Sequence, residues 1–130
     1  MTSAPGPAAV VLVDTSVWID HLRSGNAVLA ALLEADRVAA HALVIEEIAL
    51  GTLARRNDVI GGLERLVRLP DASHREVLHL VTTFPLWGRG LSAVDTHLLA
   101  STLITPGARL WTRDKRLHTA AAERGVAYTP

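Results

Sequence analysis

The chain has 130 residues, of which 49% are hydrophobic and 20% are charged, so it is long enough for one folded domain and its composition excludes a disordered protein. It contains no cysteine, which excludes a disulfide framework, a thiol nucleophile and a cysteine-based metal site. The 13 Lys and Arg residues balance 13 Asp and Glu residues, which argues against a nucleic-acid-binding protein. If several of the acids lay in one pocket, the rest of the surface would be mildly basic. Net charge alone therefore does not decide whether the protein binds nucleic acid.

The chain begins with residues 1–9, which are rich in Ala and Pro and lack a basic region. We expect them to be a disordered lead-in to a single domain at 10–130. The apolar run that follows is too short for a signal sequence or a membrane span, so we expect a soluble, cytoplasmic protein.

The first element, residues 10–13, is an unbroken run of branched apolar residues, which is typical of a strand buried on both faces of a parallel sheet. Asp14 follows it and would lie at the carboxyl end of that strand, where open α/β sheets bind their ligands. Ser16 is the predicted cap of the first helix.

Strands and helices alternate along the rest of the chain. The predicted helices are 16–22, 27–35, 43–54, 59–67, 73–83, 92–104 and 114–124. The predicted strands are 10–13, 37–40, 66–69, 109–112 and 126–128. The helix at 59–67 follows the capping pair Asn57-Asp58, and capping boxes begin at Ser73 and Ser92. This order predicts a three-layer α/β/α domain with a mostly parallel central sheet.

Several acidic residues follow predicted strands or begin helices, so they are expected near the carboxyl edge of the sheet, where such folds bind ligands. Asp14 and Asp114 both follow strands, whose carboxyl ends meet at one edge, and Asp95 begins a helix that is entered from a loop. Glu46 and Glu47 share a helix but point about 100° apart, so only one can face a given site, and periodicity leaves the choice open. Each acid alone could simply cap a helix or lie in solvent.

Together the acids favour a different interpretation. Carboxylates gathered at one edge would repel each other unless cations neutralised them, and hard divalent ions such as Mg²⁺ prefer oxygen ligands. The six histidines have no metal-ligand spacing, which favours surface or supporting positions for them. A phosphoaspartate phosphatase would need an acid two residues after Asp14, where the chain has Ser16.

Four motifs, in order and at this chain length, resemble those of PIN-domain ribonucleases, and among these the VapC-type toxins of bacterial toxin–antitoxin pairs. The motifs are Val13-Asp14-Thr15-Ser16, Glu47-Ile48-Ala49-Leu50-Gly51, Leu91-Ser92-Ala93-Val94-Asp95 and Leu110-Trp111-Thr112-Arg113-Asp114. The resemblance covers nearly all of the chain from Val10 onward and implies a PIN-like fold.

The resemblance implies an endoribonuclease that depends on Mg²⁺ or Mn²⁺ and hydrolyses phosphodiester bonds in tRNA, rRNA or mRNA. It assigns catalysis and metal binding to Asp14, Glu47, Asp95 and Asp114, and so selects Glu47 over its neighbour. It also implies a homodimer and a cognate antitoxin protein that blocks the acidic pocket.

Other residues would support this site. The resemblance implies that Ser16 and Thr112 lie beside the acids as hydroxyl donors. Some relatives carry a further acid just after the fourth, but here Lys115 and Arg116 occupy that region. With Arg113 they could hold the RNA backbone, or they could simply be solvated helix residues. The alternative hypothesis for the whole chain is a non-catalytic module that binds RNA or a protein partner, in which the acids only cap helices.

Overall fold

The structure, a computed structural model, describes residues 9–130, which contain seven helices and a sheet of four strands. The strands are β1 (Val11–Val13), β2 (Val38–Ala40), β3 (Val67–Arg68) and β4 (Arg109–Trp111). The helices are α1 (Thr15–Ser24), α2 (Ala27–Glu34), α3 (Ala42–Ala49), α4 (Arg56–Arg65), α5 (His74–Thr83), α6 (Ala93–Leu103) and α7 (Lys115–Glu123).

The four strands lie in the order β3-β2-β1-β4, and every neighbouring pair is parallel. In the centre, Leu12 of β1 lies opposite Ala39 of β2 on one side and opposite Leu110 of β4 on the other. All three residues of β1 have no exposed surface. The predicted strand buried on both faces and the predicted parallel sheet are therefore confirmed.

Helices cover both faces of this sheet. The connections from β1 to β2 and from β2 to β3 contain α1–α4, and the return from β3 to β4 contains α5 and α6. Because connections between parallel strands are almost always right-handed, the two sets of helices are expected on opposite faces. The packing agrees, because α3 contacts α1 and α4, whereas α6 contacts α5, α7 and β4. The three-layer α/β/α architecture is thus confirmed, and its core is built mainly from Leu, Val, Ile and Ala side chains.

Two predicted helix starts are wrong. Helix α1 begins at Thr15 because Asp14, rather than Ser16, is its cap and accepts a hydrogen bond from the Thr15 amide. Helix α4 begins after Arg55, which adopts the left-handed conformation with φ of 54° and makes no side-chain cap. The Asn57-Asp58 pair lies inside the first turn of that helix and does not precede it.

Two other element boundaries also differ from the prediction. Helix α3 ends at Ala49 instead of residue 54, and Gly51 lies beyond it in the solvent, where the chain turns away from the helix. The predicted last strand, 126–128, forms only a single parallel bridge, between Ala127 and Leu110. Its register is set by two backbone hydrogen bonds of Leu110, one from its amide to the Val126 carbonyl and one to its carbonyl from the Tyr128 amide.

Residues 1–8 of the predicted lead-in lie outside the described residues. Ala9, the last residue of that segment, accepts a hydrogen bond from Nε of Arg37 at 3.0 Å through its carbonyl oxygen. Over residues 9–130 no helix has both the length and the apolar surface needed to cross a membrane.

His41 is a buried polar residue that links β2 to α3 and α6. Its Nδ1 accepts a hydrogen bond from the Leu43 amide at 3.0 Å, so the ring proton lies on Nε2, which donates to Ser101 Oγ at 3.1 Å. This buried cap of α3 differs from the predicted surface or supporting position for a histidine. Desolvation by burial lowers the pKa of His41 from its ordinary value of 6.5 and outweighs the opposing effect of the nearby Asp71 carboxylate.

We predict that the free energy of unfolding decreases as the pH is lowered from 7.5 to 5.5, because the buried His41 resists protonation in the folded state. Its pKa is lower in the folded than in the unfolded chain, so its contribution is complete above about 6.5 and is lost as the unfolded state gains the proton. Urea unfolding of His41→Asn, which keeps a cap acceptor but cannot titrate, should show a flatter pH dependence. The control, His74→Asn at an exposed position, should keep the wild-type slope. An equally steep profile for His41→Asn would contradict the prediction.

Candidate active site

Asp14 is fixed at the carboxyl end of β1, between the sheet and helix α1. Its amide donates to the carbonyl of Trp111 at 2.9 Å, which extends the pairing of β1 with β4 by one residue. Its Oδ1 accepts from the Thr15 amide at 2.8 Å and so caps α1. Only 7% of Asp14 is exposed, so this carboxylate is held in one orientation at the sheet edge.

Two hydroxyl groups hold the other oxygen of Asp14. Ser16 Oγ donates to Oδ2 at 3.0 Å, and Thr112 Oγ1 donates to the same oxygen at 2.7 Å. Each hydroxyl also accepts from the loop after β4: Ser16 Oγ from the Arg113 amide and Thr112 Oγ1 from the Asp114 amide, both at 3.0 Å. Ser16 and Thr112 therefore join the start of α1 to the start of α7, and both lie beside Asp14 as the sequence predicts.

Glu47 reaches Asp14 through a residue that sequence reasoning missed. Thr15 Oγ1 donates to Glu47 Oε1 at 2.7 Å, while the Thr15 amide donates to Asp14. The packing of α1 on α3 brings these residues together, and within residues 9–130 no hydrogen bond engages the Glu46 side chain. The position of a hydroxyl side chain directly after Asp14 was the one sequence signal that could have indicated a role for Thr15 in the site. We refer to Thr15, Ser16 and Thr112 together as the hydroxyl cradle.

Asp114 is the cap of α7. Its Oδ1 accepts from the Arg116 amide at 2.8 Å and from the Leu117 amide at 3.2 Å. Its own amide donates to Thr112, so a single hydroxyl separates it from the Asp14 carboxylate. Asp114 therefore does both things that the sequence suggested: it caps a helix, and it lies one hydroxyl group away from Asp14.

Asp95 is not part of the hydrogen-bonded network that links the other three acids. It is the third residue of α6 and forms a reciprocal capping box with Ser92, in which each side chain accepts from the other residue's amide at 3.0 Å. Among residues 9–130 no hydrogen bond joins Asp95 to Asp14, Glu47 or Asp114. The structure thus brings three of the predicted acids together through the hydroxyl cradle and leaves the fourth at the start of a neighbouring helix.

The chemistry of these side chains fits a hard divalent cation. Within the described residues, Oε2 of Glu47, Oδ1 of Asp95 and Oδ2 of Asp114 accept no hydrogen bond, so each acid keeps one oxygen available as a ligand. No three Asp, Glu or His side chains in that part of the chain converge closely enough to form a closed metal cage. Mg²⁺ does not need such a cage, since it commonly binds through one or two carboxylates and keeps several waters.

The three predicted RNA-binding residues surround the start of α7. All are exposed, and Nη1 of Arg113 forms an ion pair with Oδ1 of Asp20 at 2.9 Å. The Lys115 side chain has no ion-pair partner among residues 9–130. The Arg116 guanidinium lies against the backbone of Gly90. Cations therefore lie beside the acidic edge, within the loop and helix that carry Asp114.

No protein-family model matches the chain. Two curated relatives do, both named Ribonuclease VapC32 and both from Mycobacterium tuberculosis, strains CDC 1551 / Oshkosh and ATCC 25618 / H37Rv. Each is 55% identical to this chain over 118 residues, which is 91% of this chain and 95% of the relative. The chain belongs to the VapC family of PIN-domain ribonucleases. Membership confirms the resemblance predicted from the four motifs, whereas the roles of individual VapC side chains in this chain stay predictions.

Thr112→Val should lower the free energy of unfolding by about 1–3 kcal/mol, because it leaves the part-buried Asp114 amide without its acceptor and removes a donor from the buried Asp14 carboxylate. The control is Thr102→Val, also at a buried position, where the hydroxyl donates to the Leu98 carbonyl, which keeps its helical backbone partner. Urea unfolding of both variants measures the difference. Equal losses would contradict a structural role for the hydroxyl cradle.

Proposed function

We propose that this chain is the toxin of a toxin–antitoxin pair and a divalent-metal-dependent endoribonuclease that hydrolyses RNA phosphodiester bonds. The observation that carries the proposal is the hydroxyl cradle, which joins Asp14 to Glu47 and Asp114 at the carboxyl edge of a parallel sheet. The 55% identity to proteins named Ribonuclease VapC32 supports the same activity.

Mg²⁺ or Mn²⁺ would be held by Asp14, Glu47, Asp95 and Asp114, the oxygen ligands that hard cations prefer. When bound, such an ion lowers the pKa of water and stabilises the charge that develops on the phosphodiester oxygens. The ion would also offset the repulsion between carboxylates that share one edge of the sheet.

The chain's own residues would prepare this reaction. Three donors fix Asp14, so its carboxylate needs little reorganisation when substrate binds. Glu47 and Asp114, each held through one oxygen, would accept hydrogen bonds from the attacking water through the other. Arg113, Lys115 and Arg116 would bind the RNA backbone. Water as the nucleophile would leave a 5′-phosphate and a 3′-hydroxyl.

The proposed partners follow from the same site. A cognate antitoxin would inhibit the enzyme by covering the acidic edge, where Glu47 and Asp114 are exposed to a basic side chain. We also propose that the enzyme is a homodimer and acts in the cytoplasm on tRNA, rRNA or mRNA.

One observation favours the alternative, a non-catalytic binding module. Asp14, Asp95 and Asp114 all make the helix-capping hydrogen bonds that a purely structural role requires. Capping leaves RNA binding possible through the basic residues alone. Metal-dependent cleavage separates the two functions, because the module would bind RNA equally with and without a chelator.

Glu47→Gln and Asp95→Asn should each reduce RNA cleavage at least 100-fold, because an amide replaces a charged ligand of the metal. The matched control is Glu46→Gln, which removes the same charge from the neighbouring position of α3 and should cleave at a rate close to wild type. The measurement is the initial rate of cleavage of an end-labelled RNA in Mg²⁺, with thermal melting of each variant to verify folding. Wild-type rates for Asp95→Asn would exclude its assignment as a ligand.

Millimolar Mn²⁺ should raise the melting temperature of the wild-type protein. An ion that binds only the folded state stabilises it by about 2.7 kcal/mol at a hundred times its dissociation constant, which corresponds to several degrees for a chain of this size. The shift should be smaller in Glu47→Gln and retained in Glu46→Gln. A melting temperature that does not respond to Mn²⁺ would count against the carboxylate cluster.

A further inference from the structure

Trp87 differs from the other two tryptophans of the chain in being exposed to solvent. Trp18 and Trp111 are 5% and 4% exposed and belong to the core, whereas 64% of Trp87 is exposed. It lies in the segment Phe84–Leu91 between α5 and α6, which we refer to as the α5–α6 loop. A large aromatic ring held in water marks a surface that gains stability when a partner covers it.

The α5–α6 loop is held in place although its tryptophan is exposed. The Arg124 guanidinium lies 4.0 Å from the centre of the Phe84 ring, and Nη1 of Arg89 pairs with Oε1 of Glu123 at 2.8 Å. Leu86, next to Trp87, is only 5% exposed and belongs to the core. The residues on both sides of Trp87 are therefore fastened to the core and to the carboxyl end of α7, so the ring is presented at a defined position.

A glycine sets the distance between this loop and the basic start of α7. Gly90 has φ of +77°, and a Cβ added there would lie 2.6 Å from Nη1 of Arg116 and 3.0 Å from its Cζ. The absence of a side chain lets the guanidinium lie against the loop backbone. Trp87 is three residues from Gly90, so the Cα atoms of these two residues are at most about 11 Å apart.

The position of the loop relates Trp87 to the acids. The loop leads into Ser92, the cap of α6 and partner of Asp95, and Arg116 follows Asp114 by two residues. The loop that carries the exposed indole therefore packs against Arg116 and leads directly into the helix that carries Asp95. Aromatic rings combined with basic residues are how proteins hold single-stranded nucleic acid, since every base has a face that can stack.

We propose that Trp87 is a stacking platform for an unpaired base of the RNA substrate, carried by the loop whose Gly90 packs against Arg116 at the start of α7. This inference rests on the proposed ribonuclease function and adds to it a substrate-contacting residue outside the four acids. The positive charge of Arg116 against this loop argues for RNA over a second copy of this chain, whose net charge is zero.

Tryptophan fluorescence provides a direct test, because acrylamide should quench Trp87 and leave the two buried indoles almost unaffected. We expect a single-stranded RNA 12-mer, added in EDTA to prevent hydrolysis, to protect the fluorescence from acrylamide. A fully paired RNA of the same length should protect less, since its bases already stack on each other. Trp87→Phe should remove the quenchable signal altogether.

Variants measure the contribution of the ring to affinity. Trp87→Ala should weaken binding of the labelled 12-mer about ten-fold, whereas Trp87→Phe, which retains a stacking face, should bind close to wild type. In cleavage assays with Mg²⁺, Trp87→Ala should raise KM with little change in kcat. Leu78→Ala, which removes another exposed apolar side chain (53% exposed) from α5, is the control and should change neither constant.

Each outcome decides between distinct conclusions. If wild-type protein cleaves RNA but Trp87 stays quenchable and Trp87→Ala binds normally, the stacking proposal is wrong and the ribonuclease function stands. If RNA protects Trp87 but no metal supports cleavage, the stacking site stands and the enzymatic function fails. If Trp87 becomes less quenchable by acrylamide as the protein concentration rises, with no RNA present, the ring is covered by a second copy of the chain and the proposal is wrong.

Discussion

The Asp14 carboxylate and its three donors are the interaction on which the rest of the site depends. The Thr15 amide, the Ser16 hydroxyl and the Thr112 hydroxyl converge on a group that is almost entirely buried. A buried carboxylate without such partners would be strongly destabilising, so the polar network must form whenever the central strand packs. Its donors come from two chain segments nearly one hundred residues apart, and the same bonds therefore close the fold and position the acids.

Capping and catalysis are compatible in this arrangement. Asp114 uses Oδ1 and Asp95 uses Oδ2 for the helix cap, and each keeps a second oxygen that no described residue occupies. With Asp14, these acids lie at the amino ends of three helices, where the helix dipole favours negative charge. The amino ends of α1, α6 and α7 thereby offset part of the repulsion between the carboxylates. This explains how the fold can hold several acids near one edge before any cation binds.

The sequence was most informative where local patterns determine structure. The apolar run at 10–13 predicts the buried strand, and the spacing of Ser92 and Asp95 predicts a capping box that the structure contains. It was less informative where two local solutions have similar energies. Asp14 and Ser16 are both good helix caps, and only the arrival of Thr112 from β4 makes Ser16 a donor to Asp14.

Tertiary packing also decides the relation between Glu47 and Thr15, which no local pattern encodes. Residues 32 positions apart form a hydrogen bond because α1 packs on α3, and periodicity within α3 alone could not distinguish Glu47 from Glu46. The left-handed start of α4 at Arg55 is a similar case, since nothing in its side chain signals that conformation. The fold class was thus predictable from the chain, while the connections within the site depend on contacts between distant elements.

The net charge of zero says nothing about the local environment of the basic side chains near the site, of which Arg113 is the clearest case. Arg113 is paired with Asp20, but its side chain is 59% exposed, and ion pairs in such solvated positions contribute little to stability. Its backbone, by contrast, is fixed by the bond from its amide to Ser16. In the proposed function the side chain would exchange Asp20 for an RNA phosphate, which offers a planar guanidinium two acceptor oxygens, while the position of the residue beside Asp14 stays unchanged. A neutral chain can in this way present a locally basic rim around an acidic edge.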